Sequence, residues 1–190
     1  MKAIAVSMVL LTVAPAAAHA ACPATSTTKP FKSFGDDAEY SLVPGATFEG
    51  NLPGWSIPGA AKVMGNESYK VHSTVDNESL SVSPAGLAVT APFCVSADHP
   101  TFRFFARRTS GTWGTALVKV RWSDSGGVHD TVVGSISSTT LWAPTASLPL
   151  ASVLPLTQPG STLNVQIVLD PENSGGGFAI DDLYIDPYRK

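Results

Sequence analysis

Three stretches of the chain alternate apolar and polar side chains with a period of two, a pattern that an extended strand buries on one face. From Thr101 to Arg107, Phe102, Phe104 and Ala106 fall on one side, and Arg103, Phe105 and Arg107 on the other. From Ala116 to Trp122, Val118, Val120 and Trp122 oppose Lys119 and Arg121. From Leu163 to Leu169, Leu163, Val165, Ile167 and Leu169 oppose Asn164 and Gln166. Each reads as an antiparallel strand with one buried face. Weaker strand signals occupy residues 40–43, 61–64, 80–82, 87–90, 128–133 and 139–142, and the C-terminal segment supplies another. No window keeps a helical period; only the leucine-richer residues 144–159 read as a short helix or an irregular crossover. The 16 glycines and 15 prolines are spread along the whole chain, so they punctuate short segments instead of marking one linker. Asp124-Ser125-Gly126-Gly127 is a hairpin signal between two of the strands. About ten strands suit an all-β fold of two stacked antiparallel sheets.

The N-terminus points to export. Lys2, the apolar run Ala3 to Val13 and the Ala18-His19-Ala20 pattern make residues 1–20 a cleavable signal peptide, too short for a membrane anchor. An uncleaved apolar N-terminus packed as a strand is the alternative. Cys22 stands directly behind the cleavage pattern, where two uses compete. Lipid attachment normally has an apolar residue three positions upstream, and His19 occupies that place. Disulfide pairing has one partner on offer, Cys94, and an exported chain meets an oxidising compartment; this is the expected use. Residues 21–36 then form an arm tied down by Cys22, and residues 37–190 form one domain. The formal charge of −3, one unit lower without Lys2, gives no general attraction to nucleic acid or anionic membranes. No second apolar run spans a bilayer. A secreted protein, free or wall-associated, is the expectation.

The two ends of the mature chain carry the most specific pattern. Near the start stand Leu42-Val43-Pro44-Gly45-Ala46-Thr47-Phe48-Glu49 and Gly54-Trp55-Ser56; at the end stands Gly177-Phe178-Ala179-Ile180-Asp181-Asp182-Leu183-Tyr184-Ile185-Asp186. Strict alternation puts Ile180 opposite Leu183 and Ile185. All three reach the core only if the strand slips phase at Asp181-Asp182, as a β-bulge does. Two carboxylates in an apolar strand need partners, and Glu49 is expected as a third member of that group.

These motifs resemble the opening and closing strands of galactose-binding-like jelly rolls, a group that includes many bacterial carbohydrate-binding modules. The resemblance implies a structural Ca²⁺ with Glu49 and Asp181 as side-chain ligands and main-chain carbonyls completing an all-oxygen shell. The sequence departs from the modules at Gly45-Ala46-Thr47, where they usually show Asn-Gly-Asp. The alternative is that the carboxylates accept backbone N–H bonds without a metal. The mature chain also resembles, nearly end to end, a group of secreted actinobacterial proteins to which no activity is attached. Residues 40–49, 65–72, Cys94-Val95, 99–107 and 180–188 carry that likeness.

The ligand surface expected from alternation is a single basic sheet face bearing Arg103, Phe105, Arg107, Lys119, Arg121 and Gln166. Guanidinium forks hold anions and an exposed ring stacks on sugars, so an anionic extracellular glycan or cell-wall polymer fits it. A merely solvated face is the plain alternative. Trp113, in the small-residue loop Thr109 to Gly114, is a candidate sugar platform, whereas Trp55 and Trp122 read as core and Trp142 as an edge residue packing on the sheet. Signs of catalysis are sparse. His129-Asp130 is half a triad without a G-x-S-x-G elbow, and neither H-E-x-x-H nor C-x-x-C occurs. His72 and His99 read as structural or surface groups, and Glu67, Asp98 and Asp130 are acid candidates by type only. A non-catalytic glycan-binding module is the leading reading, beside an adhesive surface protein and a small glycan hydrolase or lyase.

Overall fold

The computed structural model describes residues 22–186 except 113, 138, 157, 159, 173 and 174. The expected leader and Trp113 fall outside those residues. Among the described residues twelve strands form two antiparallel sheets packed face to face, as the alternation requires. The seven-stranded sheet holds β1 (Ser41–Leu42), β2 (Ala60–Met64), β3 (Glu78–Val82), β6 (Thr101–Arg108), β9 (Ala143–Pro144), β10 (Leu148–Pro149) and β12 (Phe178–Ile185). The five-stranded sheet holds β4 (Ala88–Val89), β5 (Phe93–Ser96), β7 (Ala116–Asp124), β8 (Gly127–Ile136) and β11 (Thr162–Asp170). Among the described residues no helix is long and apolar enough to cross a membrane.

The sandwich core forms where the apolar faces meet. Phe102, Phe104 and Ala106 of β6 and Leu80 and Val82 of β3 meet Val118 and Val120 of β7 and Val165, Ile167 and Leu169 of β11. β7 and β8 join through Ser125-Gly126, as the Asp-Ser-Gly-Gly signal requires, with Asp124 paired to Gly127. Other boundaries differ from the alternation reading. Residues 139–142 are not a strand, because pairing to β6 begins only at Ala143. The leucine-rich 144–159 segment supplies β10 and a single 3-10 turn, Ala151–Val153, in place of a helix. β5, which alternation left unassigned, pairs with the start of β11.

The bulge in β12 is present. Its register against β6 shifts between Asp181 and Tyr184, and Asp182 takes a left-handed φ of 49°. The slip brings Ile180, Leu183 and Ile185 together into the sandwich core. Tyr184 and Ala179 face the other way, into a second apolar cluster with Phe31, Tyr40, Phe105 and Trp142. This second cluster is built by the N-terminal arm. The Cys22–Cys94 disulfide is formed, with a Cα–Cα distance of 5.4 Å, and anchors the arm to β5 of one sheet. From there the arm crosses to the other sheet, pairing Thr28 with Tyr40 and stacking Phe31 on Phe105 at 5.5 Å.

The opening motif also has a packing reason. Gly45 has φ 78°, and a Cβ there would stand 2.9 Å from the Trp55 indole nitrogen. That nitrogen donates to the Pro44 carbonyl at 2.9 Å, while the ring meets Phe48 edge-on at 5.2 Å. Trp55 is thus half-buried at the core's rim.

Replacing both cysteines by alanine frees a loop of 72 residues' separation, and urea unfolding should then show a stability loss of roughly 4 kcal/mol. A loss well below that would mean that packing of Phe31 and Tyr40 alone holds the arm. Gly45→Ala should cost roughly 1–3 kcal/mol through its left-handed backbone, read in the same experiment.

Candidate functional site

The basic face expected from alternation is divided between two surfaces. Period two places a residue on one side of its strand, but β6 belongs to the seven-stranded sheet while β7 and β11 belong to the other. Arg103, Phe105 and Arg107 therefore lie on the outer side of one sheet, and Lys119, Arg121 and Gln166 on the outer side of the other.

The first set is covered. Phe105 is fully buried, not an exposed aromatic, because the arm lays Phe31 over it and Phe34 packs edge-on at 5.6 Å. Arg103 is held inside this layer: Nη1 donates to Asp36 Oδ2 at 2.7 Å, Nε to the Thr145 carbonyl at 2.9 Å, and the guanidinium stands 4.4 Å from the centre of the Phe31 ring. Burial opposes charge on Asp36, yet hydrogen bonds from Tyr40, the Ala38 amide and Arg103 keep its carboxyl below the usual range. Burial, followed by that carboxylate, pushes the Tyr40 phenol up to about 12. Arg107 lies over the Trp142 ring at 5.1 Å. Arg103 and Phe105 thus fasten the arm to its sheet.

The second set is open. Across the five-stranded sheet Gln166, Arg121 and Asp130 stand side by side in register on β11, β7 and β8. Arg121 grips Asp130 through a two-point fork, Nε and Nη2 each donating at 2.7 Å. The fork raises the guanidinium's pKa and lowers the carboxyl's, each through the other's hydrogen bond first. Lys119 donates to Asp170 at 2.8 Å and to Glu172 at 3.5 Å. Gln166 gives its amide N–H to the Thr90 carbonyl at 2.7 Å, which fixes the direction of the side chain. Beside them is a depression of about 250 Å³ lined by Pro92, Arg121, Trp122, Ser123, Asn164 and Gln166, with Val128 at its edge. Trp122 is only half-buried, at the rim of the core, and stacks on His129 with ring centres 4.0 Å apart. The expected half-triad is absent in this geometry: His129 Nε2 is 2.9 Å from Asp124, and Asp130 belongs to Arg121. Alternation found Arg121, Lys119 and Gln166. It missed Asn164 and Asp130 as neighbours of the depression, and the hairpin spacing of Arg121 and Asp130 was the available signal for the latter.

The carboxylates at the bulge form a separate group. Asp181 Oδ2 accepts the Glu67 amide at 2.7 Å and Oδ1 the Asp182 amide at 2.9 Å. Burial first, then repulsion from Asp182, lifts its pKa to about 9; burial and Glu67 lift Asp182 to about 7. Glu49 is not part of this group. It is exposed, and its Oε1 accepts the Asn77 and Glu78 amides at 2.5 and 2.6 Å. The other buried carboxylates beside the Asp181–Asp182 pair are Glu67, at 0% exposure, and Asp76. Asp181 and Glu49 thus accept different backbone amides and are not brought into one group.

No family model and no curated protein matches the chain, so the likeness to secreted actinobacterial proteins stands on its quoted segments alone. Solved structures do match. The chain is similar to the CBM22-1 and GH10 modules of Clostridium thermocellum endo-1,4-beta-D-xylanase 10B, solved with xylohexaose, at 16% identity and a TM-score of 0.54. The match covers 76% of this chain and 28% of that one, so this chain spans little more than a quarter of the length of the solved two-module chain. It is similar to the CBM22-1 xylan-binding domain of Paenibacillus barcinonensis Xyn10C at 11% identity and a TM-score of 0.52, covering 76% and 92% of the two chains. The family 11 carbohydrate-binding module of Clostridium thermocellum Lic26A-Cel5E follows at 16% identity and 0.48, covering 78% and 94%. At such identities the two matches with TM-scores above 0.5 show the jelly-roll fold alone.

Arg103→Ala should lower stability by about 2–3 kcal/mol, because Asp36 is left without its charge partner in a half-buried layer. Urea unfolding measures it, and an unchanged midpoint would mean that the arm does not depend on this ion pair.

Proposed function

We propose that this chain is a secreted, non-catalytic carbohydrate-binding module, and that the outer face of its five-stranded sheet takes a neutral extracellular or cell-wall polysaccharide. The observation that carries this reading is the depression beside Gln166 and the Arg121–Asp130 fork. Sugar hydroxyls both donate and accept, so planar amides and a paired guanidinium and carboxylate, all held rigid before binding, complement them at low entropic cost. Gln166 keeps its amide oxygen as an acceptor, and Arg121 keeps Nη1 outside its fork. Pro92 and the exposed Val128 supply the apolar contacts of the depression for the faces of sugar rings.

The charge on this face favours a neutral polymer over the anionic one expected from the residue types. Lys119 is shared between Asp170 and Glu172, and Arg121 is matched by Asp130, so three carboxylates answer two cations. Such a face has no surplus positive charge with which to hold a polyanion. The fold likeness to a xylan-binding domain and to a module solved with xylohexaose supports a β-linked neutral glycan as the ligand class. The disulfide fits an oxidising, extracellular setting.

Affinity electrophoresis of the purified mature protein in gels containing soluble xylan, mixed-linkage β-glucan or galactan tests this. Retardation by a neutral glycan, little changed between low and high salt, is the expected result. Arg121→Ala and Gln166→Ala should each weaken it at least tenfold, while Arg103→Ala leaves it unchanged. No retardation by any neutral polysaccharide, or equal retardation of Arg121→Ala, would remove this face from consideration.

A further inference from the structure

The loop joining β2 to β3, residues 65–77, folds over the bulge of β12 and brings a second set of polar groups to it. Its base is closed by the Gly65 amide donating to the Asn77 carbonyl at 2.7 Å and by the Ser79 hydroxyl donating to the Gly65 carbonyl at 2.7 Å. Inside the loop Glu67 is consumed by the backbone, its two oxygens accepting the Tyr69 and Val71 amides. Asp181 is consumed likewise, by the Glu67 and Asp182 amides. Three further side chains face one another, His72, Asp76 and Asp182, with the Asp182 carboxylate also accepting the His72 main-chain amide.

One donor atom from each, an imidazole nitrogen and two carboxylate oxygens, lies within 4.8 Å of the others. Ligands that each sit about 2.0–2.2 Å from one tetrahedral ion stand about 3.3–3.6 Å apart, so the set must close inward by up to roughly 1.2 Å on binding. Asp182 is 2% exposed and Asp76 8%, forming the floor; the His72 side chain is 40% exposed and forms the mouth. The electrostatics of the place ask for a cation. Glu67, Asp76, Asp181 and Asp182 are all buried, and among the described residues no lysine or arginine forms an ion pair with any of them. Lys70 reaches the group but donates to the Asp76 main-chain carbonyl, not to a carboxylate. His72, with Nδ1 2.5 Å from Asp76 Oδ2, is the basic side chain in contact, and it carries charge only when protonated. Buried carboxylates without a counter-charge are costly, and a bound ion removes that cost.

The geometry points to a divalent-cation site formed by His72, Asp76 and Asp182, taking Zn²⁺ or a neighbouring first-row ion. Imidazole in the donor set selects that class over Ca²⁺, which takes oxygen ligands alone. Three protein ligands leave room for water in the remaining position. The site lies on the seven-stranded sheet, away from the proposed glycan face, so metal binding and glycan binding can fail independently.

The test uses chelator-treated mature protein titrated with Zn²⁺ or Ca²⁺ and followed by thermal unfolding, and with Co²⁺ followed by visible absorption. Zn²⁺ should raise the unfolding midpoint by several degrees as a native-state ligand does, with Ca²⁺ giving little or no shift. Co²⁺ should develop a d–d spectrum. His72→Ala, a change at a surface-exposed ring, should lose both responses. His72→Gln, which keeps a side-chain donor for Asp76, should lose them too, which separates loss of an ion from loss of a hydrogen bond. No Zn²⁺ response, a Zn²⁺ response that His72→Ala retains in full, or a Ca²⁺ shift exceeding that of Zn²⁺ would each overturn the assignment.

Discussion

Two adjacent carboxylates buried in the middle of β12 set the terms for the rest of the structure. All eight residues of this strand are buried, and it lies between β6 and β3 with β1 pairing to its end. The phase slip at Asp181 and Asp182 is what allows Ile180, Leu183 and Ile185 to share one core. Its cost is two acids removed from water, and the loop from 65 to 77 offsets that cost by bringing the Glu67 amide onto Asp181. The bulge, that loop and the core are therefore one cooperative unit. A change that relieves the bulge also withdraws the reason for the loop's conformation.

The same sheet is closed a second time by the N-terminal arm. Phe31, Tyr40 and Tyr184 build an apolar layer outside β6 and β12, and Arg103 ties that layer to Asp36. Both sides of the seven-stranded sheet are then occupied, one by the sandwich core and one by the arm and loop. The five-stranded sheet has no such cover over Arg121 and Gln166, and its outer face is where a ligand as large as a polysaccharide has access. The disulfide links the two situations, since it fastens the arm at Cys94, whose register partner on β11 is Asn164 at the depression. Location of the candidate site thus follows from what the other sheet had to bury.

Charge pairing then decides what such a face can recognise. Read as residue types, Lys119 and Arg121 make a basic surface. In the folded chain each is committed to carboxylates contributed by β8, by the end of β11 and by the residues just beyond it. Ion pairs of this kind contribute little to stability when exposed. They do hold their donors and acceptors in fixed directions, which matters for recognising hydroxyl groups.

Alternation along single strands was enough to determine the all-β class, the inward residues of β6, β7 and β11, the β7–β8 hairpin and the phase slip in β12. Each is a local property: side chains two apart share a face, and a broken period must be absorbed where it breaks. The two cysteines likewise allowed one pairing. Sheet membership was beyond that reach, because period two tells which side of a strand a residue takes but not which strand lies beside it. Phe105 shows the consequence, since it opposes Phe104 along β6 and so reads as exposed until the arm is folded over it. Glu67 gave no local sign of its place under β12, 114 residues away in sequence, and Lys119 gave none of its pairing with Asp170. Those contacts exist only once distant strands are brought together, and it is tertiary packing that chose Glu67 over Glu49 for the buried acid group and the five-stranded sheet for the open face.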